Sequence, residues 1–300
     1  MNLRGTVWGA GMLLAAALGS APLAAQSCNR ELLDFDCPEA WGMKYYTSVS
    51  LLTGFGPPER RDVGAVDLAL EGGWVPQLSD DERRLGFNGT KLEDTNKTPV
   101  FGRVRATVWL AGGVSVSAGI VPPLEVGGAR PLLVSFGAGL PLLERPSVRV
   151  GARAFGQVGR VEGDITCDAE TVSFGADPLR NPFGCEAPSE DEVTERYAGV
   201  EVAAAFPRGR VEPYVGGSLQ YLDMVFAVRA RYSGLEDRRD LAASGWTGAG
   251  TAGVRVRASD AWSVSGEVFY SPLGIVRPSA AGRRSEALFN LRGMVSWRVR

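Results

Sequence analysis

The sequence predicts an all-β protein, an antiparallel transmembrane up-and-down β-barrel of about twelve strands, with ten as the alternative. Three observations predict it. Apolar residues recur at every second position in segments of roughly ten to fourteen residues from Trp41 to the end, the period of a sheet with one apolar face. Connections between these segments alternate short and long. Beyond residue 25 no run of apolar residues is long enough for a membrane-spanning helix, while 39 glycines and a scarcity of helix-favouring runs bias the chain to strands.

The elements follow in order. Residues 1–25 read as a cleaved secretory signal: Arg4 near the start, an apolar stretch from Met12 to Leu18, then Ala21, Ala24 and Ala25, with cleavage expected before Gln26. Residues 26–42 form an N-terminal segment, expected in the periplasm or plugging the lower mouth of the barrel, and residues 43–300 are expected to form the barrel itself. Met43, Tyr45, Val49, Leu51 and Phe55 share the first face. Val66, Leu68, Leu70 and Trp74 follow, and Arg83–Gly89, with Leu85 and Phe87, is a short strand needed to make the number even. Next come Val104–Leu110, Val114–Ile120, Leu132–Leu140 and Val148–Val158.

In the second half, Val200–Phe206 is followed by Val211–Tyr221, where the apolar face changes near Asp223 in the manner of a bulge. Trp246–Val256, Trp262–Tyr270 and Phe289–Val299 complete the set; the last nine residues, Arg292 to Arg300, still alternate and end as a strand. Tight turns at Leu110–Gly113, Leu143–Ser147, Pro207–Arg210 and Ala258–Ala261 alternate with long connections at Pro122–Arg130, Glu162–Thr194, Ser233–Ser244 and Val276–Ser285. Membrane barrels keep short turns on one side and long loops on the other. Trp41, Trp74, Trp109, Trp246, Trp262 and Trp297 fall near strand ends, where an interfacial belt places aromatics.

Four cysteines form two local pairs, Cys28 with Cys37 and Cys167 with Cys185, and in an oxidising compartment these read as disulfides. The chain has no histidine, which removes Ser-His-Asp and Cys-His catalysis and most zinc and iron sites. No catalytic site, cofactor or metal is expected. A formal net charge of −2 gives no reason to expect a nucleic-acid partner. Acidic clusters at Ser79–Glu82, Glu93-Asp94 and Ser189–Glu192 read as solvated loop charge.

The polar face is the informative one. If the apolar face meets lipid, Arg103, Arg105, Arg149, Arg153, Glu201, Glu212, Arg255, Arg257, Glu267 and Arg292 point into the lumen, joined by Asp67 and Glu71. These residues fit a water-filled pore for small polar solutes, anions included. They fit equally a lumen closed by arginine–carboxylate pairs, with the outer loops carrying the function.

The signal segment, the alternating strands, the loop lengths and the terminal strand with Gly293, Trp297, Arg298 and Val299 together resemble Gram-negative outer-membrane β-barrel proteins. The resemblance covers nearly the whole mature chain. It implies an outer-membrane location in a diderm bacterium, a lipid bilayer around the barrel, and recognition of the C-terminal strand by the barrel-insertion machinery. It departs at Val299-Arg300, where such proteins often end on an aromatic residue.

Overall fold

The computed structural model describes Cys28, residues 31–277 and residues 284–299; the expected signal segment lies outside them. Alternation along each strand sorts side chains to two faces, and ten strands close the sheet: β1 (Val66–Trp74), β2 (Val100–Trp109), β3 (Ser115–Val121), β4 (Ala129–Arg145), β5 (Val148–Gly163), β6 (Asp191–Ala205), β7 (Val211–Tyr232), β8 (Leu235–Arg257), β9 (Trp262–Ser271) and β10 (Leu288–Arg298). Each pairs antiparallel with its sequence neighbours, and β10 returns to β1 with Asp67 opposite Arg298 and Gly73 opposite Arg292. Closure leaves no unpaired edge, the condition for crossing a bilayer with strands.

The apolar face is outside. Leu70, Val104, Val200, Val254 and Leu291 are exposed while Glu71, Arg103, Glu201 and Arg292 are buried within. Trp262 and Trp297 stack on the outer surface at the end that carries the tight turns, with ring centroids 5.9 Å apart. Eight residues along the same strand pair, Tyr270 lies opposite Phe289. That is about 27 Å of strand, or roughly 20 Å along the membrane normal at a tilt of about 40°. An apolar belt of this height is a lipid-facing surface.

The structure differs from the sequence reading in four places along the chain trace, and also at Trp109, Glu93 and Asp191, which are 6 %, 6 % and 1 % exposed and so are neither an interfacial aromatic nor solvated loop charge. Met43–Phe55 is not a strand: Pro38–Val49 forms a helix, α1, inside the barrel, and residues 50–58 continue down the lumen to the turn end. Pro38 in the first turn and the acidic Glu39 suit a helix start. The helix is buried on nearly every side, so it carries no polar stripe, and its residues happen to alternate. Trp41 belongs to it and is 1 % exposed, so it is no part of an interfacial belt.

Arg83–Gly89 is not a barrel strand either. Arg84–Leu85 pairs with Lys91–Leu92 in a two-residue ribbon within the long connection from β1 to β2. The barrel therefore has ten strands, the alternative count. Ser233–Ser244 is not a loop, because β7 and β8 run on together to a two-residue turn at Ser233 and Gly234, whose φ angles of 51° and 75° fit the mirror-image hairpin turn.

Nor is there a bulge at Asp223. The register of β7 against β6 and β8 is unbroken there. Asp223 faces out and Leu222 and Met224 face in, so the chemistry of the two faces inverts while the geometry continues. Beyond the membrane the outer face meets water, and the inner face packs on a core of Leu33, Met43, Leu241 and Ala243.

The orientation of the apolar face yields a stability prediction. Val104 lies midway along β2 and faces outward. Val104→Arg should lower the unfolding free energy in lipid vesicles by about 2–4 kcal/mol, whereas Val104→Leu should leave it nearly unchanged. Equal effects of the two substitutions would place the position outside the hydrocarbon.

Candidate functional site

Carbonyls at the end of a helix have no partner within it. Where α1 ends, inside the lumen, arginines from the barrel wall supply the missing donors. Arg292 on β10 donates from Nη2 to the carbonyls of Ser48 and Val49 at 3.0 and 3.1 Å, and from Nη1 to that of Leu51 at 2.6 Å. Its guanidinium lies 3.7 Å from the centroid of the Phe269 ring, a cation–π contact. Arg103 and Arg105 on β2 donate to the carbonyls of Ser50 and Thr53, and Arg255 on β8 to that of Phe55.

Carboxylates complete the network. Glu71 accepts from Arg103 and pairs with Arg105. Glu267 accepts from Thr53 Oγ1 at 2.5 Å and from Tyr214 at 3.1 Å. Glu195 accepts from Ser50 Oγ at 2.8 Å, and the Leu52 amide donates to Tyr197 at 2.9 Å. Glu201 lies 3.6 Å from Arg153 and accepts from the Gly54 amide. A Cβ at Gly54 would lie 2.6 Å from the backbone oxygen of Gly56 and would also push on the Arg153 guanidinium, so the close turn of the backbone here favours glycine.

At the turn end, Arg149, Arg255 and Arg257 gather around Glu212 and Glu59. The structure places the ten residues singled out in the sequence on the inner face of the sheet, where most of them bond to or pair with residues 48–59 and Glu212 pairs with Arg149, Arg255 and Arg257. Glu59, Glu195 and Tyr197 were not among them. Glu195 and Tyr197 lie on β6 with the inward parity of Glu201, a signal that was available; Glu59 lies before β1 and carries no period.

The loop end is a folded cap. The two disulfides, Cys28–Cys37 and Cys167–Cys185, join the pairs read from the sequence. The second holds the connection between β5 and β6 against β7 through Cys185–Ala187. The plug is tied to the other outer connections: Trp41 donates to the carbonyl of Glu286, Lys44 to Gly274, Tyr45 to Pro76 and Tyr46 to Thr95. A cavity of about 380 Å³ lies between α1 and this cap, and a polar vestibule of about 990 Å³ opens at the turn end below Gly54.

No protein-family model matches the chain, and no curated protein matches it in sequence. Its structure is similar to the translocator domain of the autotransporter NalP from Neisseria meningitidis, with 13 % identity over 81 % of this chain and 90 % of that one and a TM-score of 0.43. It is also similar to the outer-membrane protease OmpT from Escherichia coli (10 % identity, 84 % of this chain and all of that one, TM-score 0.38) and to the attachment invasion locus protein Ail of Yersinia pestis (10 %, 79 % and 99 %, TM-score 0.30). A closed antiparallel sheet with its apolar face outward decides the fold. It is that of the bacterial outer-membrane β-barrels.

Glu59 supplies a pH test of the turn-end network. Burial pushes its carboxyl up, but Arg255, Arg149, Arg61 and Arg257 outweigh burial and hold it at about 2, below the ordinary 4.5. A depressed carboxylate contributes its stability above the unfolded value and loses it as pH falls through the folded one. The stability gap between wild type and Glu59→Gln should therefore be constant above about pH 5 and shrink progressively toward about pH 2. Denaturant unfolding in vesicles measures it; a gap that widens on acidification contradicts the assignment.

Proposed function

We propose that this protein is an outer-membrane barrel closed by its own N-terminal segment, and that it acts through the face its long loops present to the cell exterior. The observation that carries this reading is the use of the lumen arginines. Arg103, Arg105, Arg255 and Arg292 each donate to a carbonyl of residues 48–55. Guanidiniums engaged in this way are not free to line a passage for anions.

Several features support the orientation. Tight turns in bacterial barrels face the periplasm and long loops face outward. On that assignment α1 enters the lumen from the exterior, and the disulfides, the extended β7–β8 hairpin and the cavity all lie in the exterior cap. Recognition of β10 by the insertion machinery and export through residues 1–25 belong to the same proposal.

A second reading, passage of small polar solutes, is favoured by the vestibule at the turn end. Arg60, Arg149, Arg210 and Arg298 border it, and it leads up to the plug at Gly54. Solutes would pass only if the plug withdrew.

Planar-bilayer recordings separate the two. The wild-type barrel should give no steps, and the double variant Arg103→Gln/Arg292→Gln should give them, since it removes donors to Ser48, Val49, Ser50 and Leu51 together. Stable steps from the wild type would overturn the closed-barrel reading.

A further inference from the structure

We propose that the cavity between α1 and the exterior cap is a binding site for an organic cation, a protonated amine carried on an apolar frame. The proposal deepens the reading of the loop face as the acting surface and rests on it. The cavity, about 380 Å³, has the size of a small-molecule pocket. Leu33, Met43, Leu85, Val193, Val228 and Leu241 give it apolar walls from five separate parts of the chain. Glu31 and Phe87, both exposed, border it, so it communicates with the exterior.

The polar groups on these walls have one sign in excess. Glu31, Glu39, Glu93 and Asp237 line the cavity against a single cation, Arg239. Arg239 is already committed to Asp237, donating through Nε and Nη2 at 2.7 and 2.6 Å. Glu39 Oε1 accepts the Asn88 amide at 2.6 Å, but its buried Oε2 has no hydrogen-bond partner among the described residues.

Glu93, 6 % exposed, reaches the cavity from the β1–β2 connection. Its Oε2 accepts from Lys91 Nζ at 2.5 Å, and the same ammonium also donates to the carbonyl of Thr166. Burial pushes this carboxyl up to about 8 although Lys91 pulls it down. A buried carboxylate oxygen without a donor, as at Glu39 Oε2, is costly, and a donor brought by a ligand offsets that cost. An ammonium brings charge and donors together.

Aromatic rings add a third element. Phe87, Tyr46 and Tyr232 line the cavity, and Phe87 meets Tyr232 edge to face at 6.0 Å. Aromatic faces attract cations, and the apolar frame of an amine packs against ring edges and the aliphatic walls. A carboxylate ligand would be set against the unpaired Glu39 Oε2; a purely apolar one would leave that oxygen unpaired.

The test uses the full mature chain in nanodiscs of zwitterionic lipid, with empty nanodiscs as the blank. Calorimetric titrations compare naphthylmethylamine, the neutral naphthylmethanol and the anionic naphthoate. The amine should bind saturably with one site per barrel, about tenfold or more tighter than the alcohol, and the naphthoate should not bind. Glu39→Gln and Glu93→Gln should each weaken the amine about tenfold and leave the alcohol unchanged. Heat-modifiable gel migration checks that each variant is folded, and Glu39→Gln, which keeps the acceptor for Asn88, stands alone if Glu93→Gln does not fold. No saturable amine binding, equal binding of amine and alcohol, or amine binding indifferent to Glu39→Gln overturns the site. A silent barrel that takes no amine sinks the site alone; a conducting wild type sinks the closed-barrel reading, whatever the titration gives.

Discussion

The arrangement depends on one kind of contact, the arginine guanidinium donating to the backbone carbonyls of residues 48–55. A polypeptide that ends a helix inside a barrel cannot satisfy its last carbonyls internally, and the lumen wall offers side chains alone. Arginine suits the task because it is always charged, offers several donors in a planar fork and accepts nothing. Arg292 alone serves three carbonyls and stacks on Phe269. A cation at a helix C-terminus also meets the negative end of the helix dipole.

Such a concentration of guanidiniums is tolerable only with counter-charges at hand. Glu71, Glu201, Glu212, Glu267 and Glu59 sit among them: Arg103, Arg105 and Arg255 are each held by a carboxylate and a plug carbonyl, Arg149 and Arg257 by two carboxylates, Arg153 by Glu201, and Arg292 by plug carbonyls. Buried pairs of this sort add little net stability compared with an apolar core, but loss of one partner is costly because the other charge remains buried. Their value is positional: they fix which stretch of backbone lies where. The apolar exterior needs no such specificity, since lipid solvates any hydrophobic side chain presented to it.

What was legible in the sequence follows from this division. The strands that face lipid are periodic because one side must be apolar throughout, and Val104, Val200 and Leu291 announced their orientation, and with it that of Arg103, Glu201 and Arg292. The cysteine pairs were legible from local spacing. The plug was not, because α1 lies against polar wall on one flank and apolar cap on another, and no stripe records a helix buried all round. Met43, Tyr45 and Val49 therefore passed for a strand, and Arg83–Gly89 for its partner. Asp223 looked like a bulge because sequence shows chemistry and not depth: the strand continues while its surroundings change from lipid to water. Pocket residues such as Glu39, in the first turn of α1, and Glu93, in the β1–β2 connection, are far apart in the chain, and nothing local marks their convergence.

Hydrogen exchange of the backbone amides in residues 38–58, followed by mass spectrometry on the folded barrel in lipid, reports whether this segment resides in the lumen. This stretch should exchange as slowly as the barrel strands around it, since its amides lie inside a closed, hydrogen-bonded lumen. Exchange of these amides at the rate of the exposed tight turns would show that the segment does not reside in the barrel and that the arginine–carbonyl contacts do not hold it there.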